Sequence, residues 1–279
     1  MAKGPAATWT PNGAASAGAP APARQPARLG LTRRPPSRFD PRVHLQGILF
    51  DYGGTLDGPA SHWLDRMLEL YRAAGVDRPF EPIKDAFYRA DEAAYADPRV
   101  AEMSLAELLD FHVGVQLDGL GIDDSALRRR LAAAFVARSA AALTASRAVL
   151  ARLAPHYRLG VVSNFYGNVG RVLADAGFAP LLSVVADSNR VGWMKPDRRI
   201  FEHALRALGT APAATLHVGD SHERDVCAAN ALGLRTAWLV AAARRPADPD
   251  PVADMVIASL DELPALLQLP AGALTVAPR

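Results

Sequence analysis

The sequence predicts an α/β protein whose parallel sheet with crossover helices is interrupted, directly after its first strand, by a block of helices. Three observations carry this. Ile48, Leu49 and Phe50 form a short apolar run that stops at Asp51, where Gly53, Gly54 and Thr55 begin a turn. Residues 59–145 then show helical periodicity throughout. From about Ser146, strand-like and helix-like stretches alternate, as parallel strands joined by crossover helices require.

The first strand is expected to be buried, with the Asp51 carboxylate left accessible at its C-terminal end. Open α/β sheets bind ligands in the crevice outside those ends. An Asp that only caps the turn is the plainer alternative. In the block that follows, Trp63, Met67, Leu70 and Tyr71 recur at helical spacing, and Gly75 supplies a stop. Ile83, Phe87 and Ala90 mark a second helix. Ser104 with Glu107 makes a capping box for a third, and Asp123 or Asp124 caps a fourth with Leu127, Leu131 and Phe135 along one stripe. The alternating part reads as RLGVVSN, a helix to Gly177, LLSVVAD, a helix from Asp197 to Leu208, TLHVGD, a helix to Leu232, RTAWLV, and a last short strand near 256 with its helix.

Composition sets limits on this reading. The chain has 279 residues, 50% apolar and 22% charged, with one cysteine, which suits one large domain or two small ones. No run reaches the roughly 18 apolar residues of a spanning helix, and the first residues lack a secretory core, so no membrane partner and a cytoplasmic location are expected. Residues 1–46 carry Lys3 and six arginines against Asp40 alone, a balance of +6 that leaves −4 for the rest of a chain whose total is +2. A mildly acidic folded part argues against nucleic acid as its partner, since phosphate backbones need a basic face. Residues 1–42, rich in Pro, Ala and Arg without apolar periodicity, are expected to be disordered. Cys227 is expected to pack in a helix core.

The stretches FDYGGTL (from Phe50), VVSN (from Val161), GWMKPD (from Gly192) and HVGDSHERD (from His217) resemble, in order and spacing, the four motifs of the haloacid dehalogenase-like hydrolase superfamily. The resemblance covers about Leu45 to Gln268. It implies a Rossmann-like, doubly wound parallel sheet over residues 43–58 and 146–270. A helical cap inserted at 59–145 would cover the active site and select substrate, and residues 271–279 would form a C-terminal tail.

The resemblance also assigns roles. Asp51 is the nucleophile that becomes a covalent aspartyl intermediate, and Ser163 and Lys195 complete the catalytic set. Thr55, Ser163, Asn164 and Lys195 bind the phosphoryl group of a small phosphorylated substrate. Asp220 and Asp225 can hold a hard cation with Asp51, and Mg²⁺ favours so sparse a carboxylate set. The Gly53 carbonyl is a further ligand by analogy, and Asp225 as a helix cap is the plainer reading. One position departs from the pattern. Phosphatases of the family carry a second Asp, the general acid and base, two residues after the nucleophile, and here that position is Gly53. Asp57, past Thr55, does not inherit the role. Two alternatives therefore stay open. One is phosphonoacetaldehyde-hydrolase-like C–P cleavage with Lys84, the only lysine between residues 59 and 145, as Schiff base. The other is a binding or regulatory protein with little turnover.

Overall fold

In a computed structural model of the protein, residues 44–58 and 60–269 are described, and they belong to one unit. The expected disordered segment 1–42 and the tail 271–279 lie outside them. The first strand, Gly47–Phe50 (β1), is buried along its whole length. Four helices follow: Trp63–Ala73 (α1), Phe80–Ala96 (α2), Leu105–Gly119 (α3) and Ser125–Leu153 (α4). Their ends are where the caps predict. Gly75 takes φ +75° after α1, Ser104 and Glu107 form both halves of a capping box on α3, and Asp124, not Asp123, accepts from Leu127 N–H at the start of α4.

The α4 helix is a single unbroken element of 29 residues that runs through position 146, so one helix belongs to both the insertion and the alternating part. By length and composition it qualifies as a membrane span, which a count of uninterrupted apolar residues overlooks. Its buried stripe, Leu127 through Phe135 and Leu143 to Leu153, is instead covered by the protein's own hydrophobic core.

After α4 the chain alternates: Arg158–Ser163 (β2), Val169–Asp175 (α5), Leu182–Asp187 (β3), the short Ser188–Val191 (α6), Arg198–Leu208 (α7) and Thr215–Gly219 (β4). A π-helical turn, His222–Cys227, leads into Ala228–Ala231 (α8), followed by Arg235–Leu239 (β5), Met255–Ile257 (β6) and Leu263–Leu266 (α9). All strand pairs are parallel, in the order β3-β2-β1-β4-β5-β6. Side chains alternate across the sheet. Leu49, Val162 and Ala186 pack on Ile200, Phe201 and Leu205 of α7, whereas Ile48, Phe50 and Val161 join the larger core on the other face. The strand order reverses at β1, with β2 on one side and β4 on the other, so a ligand crevice opens outside the ends of β1 and β4.

A buried ionic hub ties the turn after β1 to the insertion. Asp57, fully buried, accepts from Gly54 N–H (2.8 Å), Trp63 Nε1 (2.7 Å), Arg66 Nη1 (3.0 Å) and Ser139 Oγ (3.4 Å). Arg66 also donates to Ser139 Oγ and lies 4.2 Å over the Phe135 ring. Replacing Arg66 with Met strands the Asp57 carboxylate without its cation and is expected to cost ~3–5 kcal/mol in urea unfolding. Adding Asp57→Leu should recover part of that loss. A variant as stable as wild type would show the pair to be energetically idle.

Candidate active site

The crevice at the strand-order reversal is lined by acid. Register pairs Phe50 with Val161 on one side and Val218 on the other, so Asp51, Ser163 and Asp220 all follow within two residues of one level. Lys195, from the loop before α7, donates from Nζ to Asp51 Oδ1 and to Asp225 Oδ1, at 2.6 Å each. Thr55 Oγ1 donates to Asp51 Oδ2 at 3.3 Å. One carboxylate oxygen from each of Asp51, Asp220 and Asp225 lies within 4.8 Å of the others. The approach requires Gly54, which has φ +83°: a Cβ there would meet Asp220 Oδ2 at 2.4 Å.

Asp51 is not accessible in the way the strand end alone suggests. It is 6% exposed, because Lys195 and Thr55 close over its oxygens. Burial raises its pKa, the Lys195 charge opposes that, and the Asp225 carboxylate adds to the rise. Burial and then the neighbouring Asp51 and Asp225 carboxylates push Asp220 up to about 8. Burial works against the charge of Asp225 too, but Lys195 and His217 outweigh it and hold that carboxyl well below the ordinary range. Lys195 is raised despite its burial by the two carboxylates it bridges. Three crowded carboxylates with one lysine among them form an excess of negative charge made wholly of hard oxygen donors. That donor set fits a divalent cation such as Mg²⁺.

Several of these side chains have partners that the sequence does not indicate. Asn164, expected to bind phosphate, spends its amide on the Lys195 backbone: Nδ2 donates to the Lys195 carbonyl at 2.9 Å, and Oδ1 accepts from its N–H at 2.7 Å. It positions the lysine. Asp225 is no simple helix cap. Its Oδ1 accepts from Lys195 and from His217 Nε2 (3.0 Å), while Oδ2 accepts from Ser221 N–H (3.0 Å). Ser163 is buried at the end of β2. Gly53 sits half-buried in the turn beside Trp63.

Cys227 lies in a polar setting, with Sγ 3.5 Å from His222 Nδ1, and His222 Nε2 is 2.9 Å from Asp250. Lys84 is on the surface, paired with Glu81 at 2.7 Å, and that hydrogen bond raises its pKa. An imine-forming lysine needs the opposite shift, so this pairing gives the C–P cleavage reading no support. Two contributors escaped the sequence reading: His217, signalled only by a polar residue within the apolar strand TLHVG, and Arg66, which no local pattern marks.

The site is thus a cluster of three carboxylates around a buried lysine at the strand-order reversal of a parallel α/β sheet. Residues 45–233 match the family model of haloacid dehalogenase-like hydrolases, and the chain belongs to that family. The haloacid dehalogenase-like hydrolase domain-containing protein 3 of Bos taurus is 38% identical over 92 residues, 33% of this chain and 36% of that protein. A phosphoserine phosphatase of Thermus thermophilus is 41% identical over 91 residues, again 33% and 36% of the two chains. These matches span about a third of the length of the curated relatives. A solved dehalogenase with an intermediate complex is 19% identical with a TM-score of 0.56, covering 80% of this chain and 97% of that one, which is a likeness of fold.

Proposed function

We propose that the protein is a Mg²⁺-dependent hydrolase of small phosphate monoesters in which Asp51 is transiently phosphorylated. The observation that carries this reading is the convergence of Asp51, Lys195, Asp220 and Asp225 in one buried cluster. Two matched relatives named as phosphatases, one for phosphoserine and one for glyceraldehyde 3-phosphate, support the choice of substrate class.

Lys195 holds Asp51 Oδ1, which leaves Oδ2, oriented by Thr55, as the attacking oxygen. Oδ2 forms a bond to phosphorus as the ester oxygen leaves with the bonding pair and takes a proton from water. Water then attacks the aspartyl phosphate, releases inorganic phosphate and a proton, and restores the carboxylate. Lys195 keeps its charge beside the phosphoryl oxygens throughout, so it stabilises developing negative charge without moving a proton. Asp57 contributes no proton, because its oxygens are committed to four donors. Asp51, Asp220, Asp225 and the Gly53 carbonyl would hold Mg²⁺, which when bound neutralises the repulsion between carboxylate and phosphate. The helices α1–α3 and the first part of α4 serve as a cap over the sheet and its strand-end crevice. Tyr166 O–H donating to Asp91, Asn168 Nδ2 to the Met103 carbonyl and Arg190 to the Ala101 carbonyl support that role.

The test is a panel of phosphate monoesters assayed with Mg²⁺ and with excess chelator, together with thermal melts across pH. Turnover should require Mg²⁺. The Asp220 pKa is raised from its ordinary value of 3.8 to about 8 on folding. The metal-free fold therefore holds this proton more tightly than the unfolded chain does, and it loses stability as pH rises through that window. A cation replaces the proton, so Mg²⁺ should raise the melting temperature more at pH 9 than at pH 6. Turnover undiminished in chelator would remove the metal from the mechanism, and a Mg²⁺ shift independent of pH would show that Asp220 gives up no proton to the ion.

A further inference from the structure

Two nitrogen donors without an anionic partner among the described residues sit on the two segments that flank Asp220, the start of α1 and the turn after β4. Arg224, exposed on the π-helical turn, donates from Nε to Ser221 Oγ at 3.3 Å and forms no ion pair among the described residues. Its charge acts on His62 at the start of α1, on Tyr88 and Tyr95 of α2, and on Asp220. Arg224 stands four residues after Asp220, on the turn His222–Cys227 that also carries Asp225. His62 caps α1, with Nδ1 accepting from Leu64 N–H at 3.2 Å. That bond places the proton of the neutral ring on Nε2, a donor with no partner among the described residues.

Burial and then the Arg224 charge lower the His62 pKa, which keeps the ring in this neutral form against the pull of Asp91, Asp65 and Asp57. Of these carboxylates, Asp91 is already engaged by Tyr166 and His112, and Asp57 by its own hub. The start of α1 also adjoins the cluster: the Ser61 carbonyl and Asp220 Oδ2 press on the same face of Gly54, 3.3 and 2.4 Å from where a Cβ would stand.

We infer that Arg224 and His62 form a subsite for a second anionic group, a carboxylate or a second phosphate, carried on the leaving group of the substrate. The inference rests on Asp51 as the phosphoryl acceptor. An unpaired guanidinium offers a planar fork to either anion, and a neutral N–H completes the contact without adding a second cation that must be desolvated. Esters lacking the second anion leave both donors unsatisfied, which is how a polar site rejects a near-isostere.

The experiment uses the full chain in Mg²⁺ with two pairs of probes. O-phosphoserine is set against O-phosphoethanolamine, which lacks the carboxylate, and propane-1,3-diol bisphosphate against 3-hydroxypropyl phosphate. In one pair the doubly anionic member should have the higher kcat/KM, and which pair it is identifies carboxylate or phosphate as the group recognised. Arg224→Met should reduce that preference by about 10- to 100-fold. Arg224→Lys should restore part of it, and His62→Asn, which keeps a capping acceptor but shortens the donor, should reduce it less. No preference in either pair, or an equal loss on both members in Arg224→Met, overturns the subsite. If no ester is turned over, the same probes are titrated calorimetrically into Asp51→Asn protein. A binding preference abolished by adding Arg224→Met then upholds the subsite while the hydrolytic reading alone fails, and equal binding of both members overturns it.

Discussion

Asp51→Asn should abolish turnover of every phosphate monoester, with kcat lower by at least about 10⁴-fold, while the protein stays folded. The replacement is isosteric, and an amide oxygen can still accept from Thr55 Oγ1. It loses the negative charge that makes a carboxylate able to attack phosphorus. Lys195 keeps its other partner, Asp225, at 2.6 Å, so the lysine is not stranded. Removing one of three crowded carboxylates also relieves Asp220, whose pKa of about 8 owes part of its rise to Asp51. The metal-free variant should therefore melt no lower than wild type at pH 8, and its Asp220 should titrate closer to the ordinary value. Residual turnover above about a hundredth of wild type, in protein shown by mass spectrometry to be free of deamidated Asp51, would transfer the nucleophile's role elsewhere.

Gly53→Asp should act in the opposite direction and raise turnover of alkyl phosphates by about 10² to 10⁴, the range of general acid–base assistance. The structure makes this substitution feasible. Gly53 has no positive φ, unlike Gly54, and a Cβ on it meets only ordinary van der Waals contact, with Trp63 Nε1 the nearest atom at 3.9 Å. The new carboxyl would stand two residues beyond the nucleophile, in the turn that Asp57 pins from beneath through Gly54 N–H. Aryl phosphates should gain less, because their leaving group departs without a proton and only water attack on the aspartyl phosphate benefits. A folded, Mg²⁺-binding Gly53→Asp protein with no gain on any ester would show that the missing acid is not what limits this chain.

Much of the site was legible because its signals are local. A strand announces its end where the apolar run Ile48–Phe50 meets Asp51 and glycine, and the same reading finds Ser163 after β2 and Asp220 after β4. Spacing likewise exposed the Ser104–Glu107 capping box, which spans a single helical turn. Asn164 was found as a residue, but its side-chain tether to Lys195 was not. Its two bonds to Lys195 join positions 31 apart, and nothing near Asn164 distinguishes a phosphate donor from a backbone tether.

By itself the sequence determined the strand and helix order, the family, and the residues that end the strands, since these depend on side-chain periodicity and turn chemistry within a few positions. Only the tertiary structure decided that Asp51 is covered, that Asp225 is shared between Lys195 and His217, and that Asp57 is a buried anchor joined to Ser139, 82 residues away. It also decided that Lys84 is a surface residue bound to Glu81. The reason is electrostatic: the state of a charged group depends on its burial and on the charges within a few ångströms of it, and packing brings those charges together from segments that no local pattern connects.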